Sequence, residues 1–444
     1  LIWDYPMILG LDREFPPMYG LGWKPRRRVH VRYDNTQPTG ASHHQKIIVI
    51  DDTVAFCGGL DLTSRRWDTC QHKVKEPRRD AGGSPYPPFH DTMIAVEGEA
   101  ARALGELTRE RWLRATGEHI TAHGHLHGHH HRAPRFRRRR PAAEIWPAHL
   151  QPQLRNVPVA ISRTLPATDD RPLVREVEQL YLDMIARARR CIYIETQYFT
   201  AHPIGDPLEQ RLREPDGPEI VLILRLLSHG WLESISMEAM RTRLLKRLRA
   251  ADPHNRFRFY YPAVGGLPPE ECIDVHSKLM VVDDEILRVG SANLANRSMG
   301  LDTECDLTIE AQGNPDIEDV IRTFRNRLLS EHLGVTPEII EETYAREGSL
   351  GAAVESLRRP ADALGDEEHT LRTFDDLDEV TAVFPGIAAV ADPEQPVSLR
   401  QLGAQFAPTD GPRRQGPAWG RLLAIVLVIA ALGAAWQWTR LAQY

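Results

Sequence analysis

The sequence predicts an α/β protein. Two similar halves, each with mostly parallel sheets flanked by helices, meet at a pseudo-twofold interface that holds the active site, and an apolar helix follows near the C-terminal end. Three observations predict this. First, one pattern occurs twice, 232 positions apart. His44-Gln45-Lys46, four residues, Asp51, six residues and Gly58-Gly59 are matched by His276-Ser277-Lys278, four residues, Asp283, six residues and Gly290-Ser291. Second, strand-like runs alternate with helical periodicity through residues 173–282, as parallel strands joined by helices require. Third, the run from Glu219 to Leu227 is mostly apolar, as expected of a strand covered on both faces.

In chain order, Leu1 to Tyr5 reads as a strand, followed by strands at Val29–Tyr33 and Ser42–Ile50. Their counterparts in the second half are Val221–Leu226, Arg256–Tyr261 and Val275–Val282. Before those, Leu173 to Arg190 carries Leu173, Val177, Leu180, Tyr181 and Met184 at helical spacing, and Cys191 to Phe199 reads as a strand. Leu232 to Ala250 is a second helix, with Met237, Met240, Leu244 and Leu248 on one face. The first half has no counterpart of the helix and strand at 173–199, and the chain opens on Leu1, so a segment missing upstream is the expectation.

Residues 117–154 are expected to be a linker between halves at 1–116 and 155–335. Seven histidines lie between Gly117 and Pro141, followed by Arg135, Arg137, Arg138, Arg139 and Arg140. Such a tract reads as a solvated linker, with attraction to anionic headgroups and opportunistic metal binding as alternatives. Pro337 to Arg358 reads as helix, with Thr336 at the cap and Pro337 in the first turn. The rest of 336–418 is acidic and Pro-rich, a covering segment or linker. Residues 419–440 are read as a transmembrane helix: Leu422 to Trp436 carries no charge, and Trp419, Trp436 and Trp438 sit at its edges. More arginines precede than follow it, which places the catalytic part on the cytoplasmic side. A buried or interfacial helix is the alternative.

Composition bounds the function. Net charge is −6, so overall charge does not predict nucleic-acid binding. The cysteines Cys57, Cys70, Cys191, Cys272 and Cys305 are scattered, without a CxxC pair, which argues against a disulfide framework or a structural zinc motif.

The repeated pattern carries the chemistry. Cleaving a phosphodiester needs a nucleophile for phosphorus, a proton for the leaving oxygen and cations for the remaining oxygens. Imidazole titrates near neutral pH, so two histidines can supply the first two. One attacks as neutral imidazole; the other, protonated, serves the leaving alcohol and then activates water. Lys46 and Lys278 suit the third task. In each motif His and Lys are expected two apart on a strand, so that both side chains leave the same face. The pairs Gly58-Gly59 and Gly290-Ser291 are small enough to admit a phosphate closely. No metal or other cofactor is required.

These motifs resemble those of the phospholipase D superfamily, whose mark is two His-x-Lys-x4-Asp sequences, and most closely its bacterial phospholipase D and transphosphatidylase members. The resemblance covers roughly residues 1–335. It extends to Gly58–Asp68, to Pro87-Pro-Phe-His-Asp91, to Ile192–Phe199 and to Gly290–Ser298. It implies His44 as nucleophile and His276 as general acid and base, with the reverse left open by sequence. It implies Lys46, Lys278 and Asn293 on the phosphoryl oxygens, and Gly59 and Ser291 as small residues beside the phosphate. Glu304 and Asp91 are implied to orient the histidines, and Asp51 and Asp283 to stabilise the fold. Asp61 takes the position equivalent to Asn293, where a carboxylate would repel phosphate. Arg65, Arg66, Trp67, Gln197, Tyr198 and Phe199 are further candidates to line the site.

The implied activity is hydrolysis of phospholipid headgroup esters through a phosphohistidine, giving phosphatidate, or transphosphatidylation when an alcohol replaces water. The implied partners are a phospholipid and a membrane, with a monomeric active unit and no nucleic acid. A cardiolipin or phosphatidyl-transfer synthase and a nucleic-acid phosphodiesterase are the alternative enzymes. A membrane-tethered scaffold with a dead site is the non-enzymatic one.

Overall fold

The computed structural model describes residues 29–121, 145–374 and 391–396, apart from 33, 39, 229–233, 269 and 361–363. The expected strand at residues 1–5, most of the His/Arg-rich tract and the apolar segment 419–440 lie outside the described residues. Among the described residues, no helix is long and apolar enough to cross a membrane.

The first motif builds a small antiparallel sheet. Strand β1 (Ile47–Ile50) pairs with β2 (Val54–Gly58), which pairs with β4 (Met93–Glu97). Between β2 and β4 lies the short β3 (Phe89–His90), and helix α1 (Glu99–Thr116) follows. The second motif sits inside a nine-stranded sheet. Its members in chain order are β5 (Ala160–Leu165), β6 (Val174–Arg175), β7 (Cys191–Thr196), β8 (Glu219–Leu224), β9 (Phe257–Val264), β11 (Leu279–Val282), β12 (Ile286–Gly290), β13 (Glu304–Glu310) and β14 (His369–Arg372). The spatial order is β14-β9-β8-β7-β11-β12-β13-β5-β6.

This sheet corrects the expectation of mostly parallel strands. Only β7–β8 and β8–β9 pair in parallel; its other pairs are antiparallel. The reason is local. Each motif strand is followed by a tight turn that returns the chain beside itself, and a hairpin is antiparallel by construction. The helical crossover that parallel pairing needs survives between β7 and β8, through α3 (His202–Arg213), and between β8 and β9, through α4 (Ala239–Ala250). A single π-helical turn, Ser234–Glu238, precedes α4.

Continuous apolar runs do mark strands buried on both faces. Ile192 and Ile194 of β7, with Ile220, Leu222 and Leu224 of β8, pack into one core with Tyr181 and Met184 of α2 (Glu176–Arg187) and Leu244 of α4. The alternate residues Tyr193, Val221 and Ile223 enter a second core on the opposite face. There they meet Ile321 and Leu329 of α6 (Pro315–Leu333), Ile340 of α7 (Pro337–Glu347) and Val354 of α8 (Leu350–Leu357). A short α5 (Asn296–Gly300) lies between β12 and β13. Residues 29–32 form no strand.

Two backbone pairings tie the first-motif segment to the second. Strand β3 runs parallel to β10 (Asp274–Val275), and His43 bridges to Thr303. A third core, with Ala55, Cys57 and Leu104 on one side and Cys305 and Leu307 on the other, fills the space between them.

Candidate active site

Each motif strand ends in two consecutive aspartates with positive φ: Asp51 and Asp52 after β1, Asp283 and Asp284 after β11. Short polar side chains tolerate this left-handed backbone better than most. The turn keeps one geometry in both copies, Thr53 N donating to the Ile50 carbonyl and Glu285 N to that of Val282. Asp283 then accepts from the backbone N–H groups of Arg189, Arg190 and Cys191, holding the start of β7. Asp52 pairs with Arg109 of α1 at 2.6 Å, and Asp284 pairs with Arg325 of α6. Asp52, Asp283 and Asp284 therefore lock turns to their neighbours.

The His-x-Lys residues themselves lie just before β1 and β11, in segments that form no ladder, rather than within the strands. His276 N donates instead to the His90 carbonyl at 2.8 Å, and His44 N to that of Thr303 at 3.1 Å. Each motif histidine is thus hung from the chain that carries the other motif.

The same exchange governs their rings. His44 Nδ1 lies 2.9 Å from Oε2 and 3.0 Å from Oε1 of Glu304, which follows the second motif. His276 Nδ1 lies 2.8 Å from Oδ2 of Asp91, which follows the first. With both Nδ1 atoms engaged, each Nε2 is left for substrate. Glu304 is fully buried and also takes hydrogen bonds from Ser291 Oγ and Ser298 Oγ. Burial would raise its pKa, but His44, Lys46 and the Ser291 hydroxyl outweigh that and hold it below the ordinary carboxylate value.

The second site histidine is in a different state. Its side chain is 6% exposed, against 24% for His44. Burial first, then the charges of Lys278, Arg66, Lys46 and His44, push His276 well below the ordinary histidine value. Asp91 is raised to about 7 by burial, against the opposing charges of Lys278 and Lys46.

Lys46 donates to the His44 carbonyl at 2.8 Å and lies 3.4 Å from Asp61. Lys278 is fully buried and donates to Gln197 Oε1 at 3.2 Å and to the His276 carbonyl. Burial lowers its pKa to about 7, with Lys46 adding to the effect and Asp91 opposing it. Asn293 is buried, and its Oδ1 has no hydrogen-bond partner. Asp61 faces the lysines: burial would raise its pKa, but Lys46, His44, Arg66 and Lys278 bring it below the ordinary value.

Two small residues have work other than admitting phosphate. A Cβ on Gly59 would collide with Asp91 Oδ1 and come within 2.9 Å of the His276 carbonyl, so Gly59 makes room for the Asp91 carboxylate. Ser291 is fully buried, donates to Glu304 and accepts from Cys305 N at 3.0 Å. Its one proton is given to Glu304, so it supports that carboxylate.

Of the other candidates, Arg66 lies over the Phe89 ring at 5.0 Å, and that ring lies 5.4 Å from the His276 ring. Gln197 holds Lys278, whereas Phe199 is buried in the core and Trp67 is 43% exposed. Sequence reasoning missed the buried support behind His276: Ser277 Oγ and His90 Nε2 both contact Glu195 Oε2. Both His90 and Glu195 fall inside the Pro87–Asp91 and Ile192–Phe199 elements, which was the available signal.

Comparison with known families finds matches to both motif regions. A family model described as phospholipase D matches residues 24–204, and one described as a cardiolipin synthase, phospholipase D-like domain, matches residues 181–328. The first spans His44 and Asp91; the second spans His276 and Glu304. The chain belongs to the phospholipase D superfamily. Phospholipase D A of Dictyostelium discoideum is 24% identical over 382 residues, covering 70% of this chain and 28% of that protein. Phospholipase D alpha 3 of Arabidopsis thaliana is 26% identical over 401 residues, covering 66% of this chain and 49% of that protein. The chain thus spans half or less of the length of these relatives. Among solved structures, the phospholipase D family member Nuc of Salmonella typhimurium matches 39% of this chain and 93% of its own at 15% identity, with a TM-score of 0.28.

Proposed function

We propose that this phospholipase D superfamily chain hydrolyses phospholipid headgroup esters, releasing the headgroup alcohol and phosphatidate. The observation that carries the proposal is the pair of imidazoles, each held through Nδ1 by a carboxylate from beside the opposite motif, amid Lys46, Lys278 and Arg66. That arrangement suits two-step displacement at phosphorus.

The unequal burial favours His276 as nucleophile, the reverse of the sequence assignment. As a neutral imidazole with Nδ1 donating to Asp91, it presents the Nε2 lone pair. Nε2 bonds to phosphorus, the phosphorus–headgroup oxygen bond breaks, and the leaving oxygen takes a proton from His44 Nε2. Glu304, held anionic, stabilises the protonated form of His44. Neutral His44 then takes a proton from water, whose oxygen bonds to phosphorus as the bond to His276 breaks. Lys46, Lys278 and the Nδ2 group of Asn293 suit the phosphoryl oxygens as donors. Membrane association and a monomeric active unit belong to this reading, because the substrate is a bilayer lipid and both histidines come from one chain.

The test is headgroup release from phosphatidylcholine and phosphatidylethanolamine vesicles with a primary alcohol present. Phosphatidate together with the transphosphatidylated lipid is the expected result. Cleavage of DNA with no lipid product overturns the reading. The match to a cardiolipin synthase family model favours a second acceptor, a lipid alcohol, which the same assay with phosphatidylglycerol detects.

A further inference from the structure

Behind His276 lies a second cluster of titratable side chains that the displacement chemistry does not use. His72, His90, Glu195 and His332 are buried, and the side chain of Glu331 is 11% exposed. His72 Nδ1 lies 3.0 Å from Asp68 Oδ2, and His90 Nε2 lies 2.8 Å from Glu195 Oε2. The remaining ring nitrogens converge. His72 Nε2 and His90 Nδ1 are 3.3 Å apart, and lie 2.8 and 2.9 Å from one oxygen, Glu331 Oε1.

A neutral imidazole has one proton to give. If His72 gives its proton to Asp68 and His90 to Glu195, three lone-pair atoms face each other with no hydrogen between them. Buried acceptors do not pack this way without a positive partner. We propose that His72, His90 and Glu331 form a binding site for a zinc-type divalent cation.

The geometry suits such an ion. Two nitrogens 3.3 Å apart subtend about 107° at a metal ~2.05 Å from each, close to tetrahedral. The Glu331 oxygen must retreat by about 0.5 Å to reach the same separation. Both imidazoles already carry the outer carboxylate that metal-binding histidines usually have, Asp68 for one and Glu195 for the other. Two imidazoles and a carboxylate with an open fourth position are a donor set that zinc accepts. The adjacent trio of His90, Glu195 and His332 is a poorer candidate, because Tyr193 and Ser277 already donate to Glu195. Protons are the competing occupants. Burial opposes a charge on His90, yet Glu195 and Glu331 raise its pKa well above the ordinary value.

The ion would stand away from the phosphate and would pin the scaffold. Its ligands join the loop after β2, strand β3 and helix α6. Strand β3 leads directly into Asp91, and its last residue supplies the carbonyl that holds His276 N.

The test is the zinc content of the purified full chain, compared with Glu331→Gln and His72→Ala, together with melting curves after chelation and after adding zinc chloride. The expected result is one zinc equivalent more in the wild type than in either variant. The wild-type Tm should fall by several degrees on chelation and recover with zinc, while neither variant responds. The difference between proteins is decisive because the His-rich tract is common to all of them. Equal zinc content, or a wild-type Tm indifferent to chelator and zinc, overturns the proposal and leaves protons in the cluster. If both variants fail to fold, cobalt is added to chelated wild type: visible bands of a tetrahedral site at one equivalent support the proposal, and their absence overturns it. Failure of the lipid assay would leave this result untouched.

Discussion

Replacing Lys278 by methionine should stabilise the fold while disabling the site. Lys278 is fully buried, and its pKa falls from 10.5 to about 7, burial being the main cause. That depression corresponds to roughly 5 kcal/mol against the charged form in the folded state. Methionine also gives up hydrogen bonds to Gln197 and the His276 carbonyl, each worth about 1–1.5 kcal/mol. The net expectation at pH 6 is a variant more stable by about 2 kcal/mol. The pH dependence carries the argument. A lysine with a depressed folded pKa destabilises fully below that pKa, and the effect is relieved as pH rises from about 7 towards 10.5. Between pH 6 and 9 the wild type should therefore gain about 3 kcal/mol relative to Lys278→Met, erasing the variant's advantage. Denaturant melts at pH 6 and pH 9 measure both numbers. An advantage equal at the two pH values, or a variant less stable than wild type at pH 6, would falsify the account of Lys278 as a charge held against its preference.

Glu304→Gln preserves shape but removes the charge behind His44; kcat for headgroup release should fall about 10³- to 10⁴-fold with KM little changed, and a wild-type kcat refutes the orienting role. Gly59→Ala forces Asp91 from its place against β2; a loss of about 1–3 kcal/mol in stability with lower turnover is expected, and an unaltered melt and rate would show that the close approach is unimportant. A phosphate or vanadate anion bound beside Lys278 restores its charge, so binding takes up a proton. Affinity measured by calorimetry should weaken as pH rises above about 7, and affinity flat from pH 6 to 9 excludes Lys278 as a ligand.

Much of the site was legible because its residues sit at fixed offsets in a repeated pattern. His44, Lys46, His276 and Lys278 needed only that spacing, and Asp283 sits at its strand end holding backbone N–H groups. Strands β7 and β8 were legible because burial on both faces leaves an unbroken apolar run. Sheet direction was not. The alternation of strand and helix at 173–261 is genuine, but the hairpins after each motif depend on paired aspartates in left-handed backbone, which carry no periodicity. Asp91 and Glu304 were expected to orient the histidines, but their crosswise assignment, Asp91 to His276 and Glu304 to His44, was not legible, since it joins residues 185 and 260 positions apart. Gly59 and Ser291 were read as neighbours of phosphate, because a small residue beside a catalytic strand gives no sign of which group comes close to it. His90 and Glu195 were in view but had no partner in sequence to suggest a network.

The exchange of carboxylates between the motifs makes the catalytic centre an interlock. A fragment ending after Asp91 would own one imidazole and the other's anchor, and a fragment starting at Leu165 would own the complement. Neither could hold its histidine ring in place, however well it folded. Damage to either acid should silence a reaction centre whose four signature side chains are untouched. Co-expressed pieces should regain turnover only when they reassemble, which makes this chain a natural candidate for a split reporter whose signal is the coincidence of two parts.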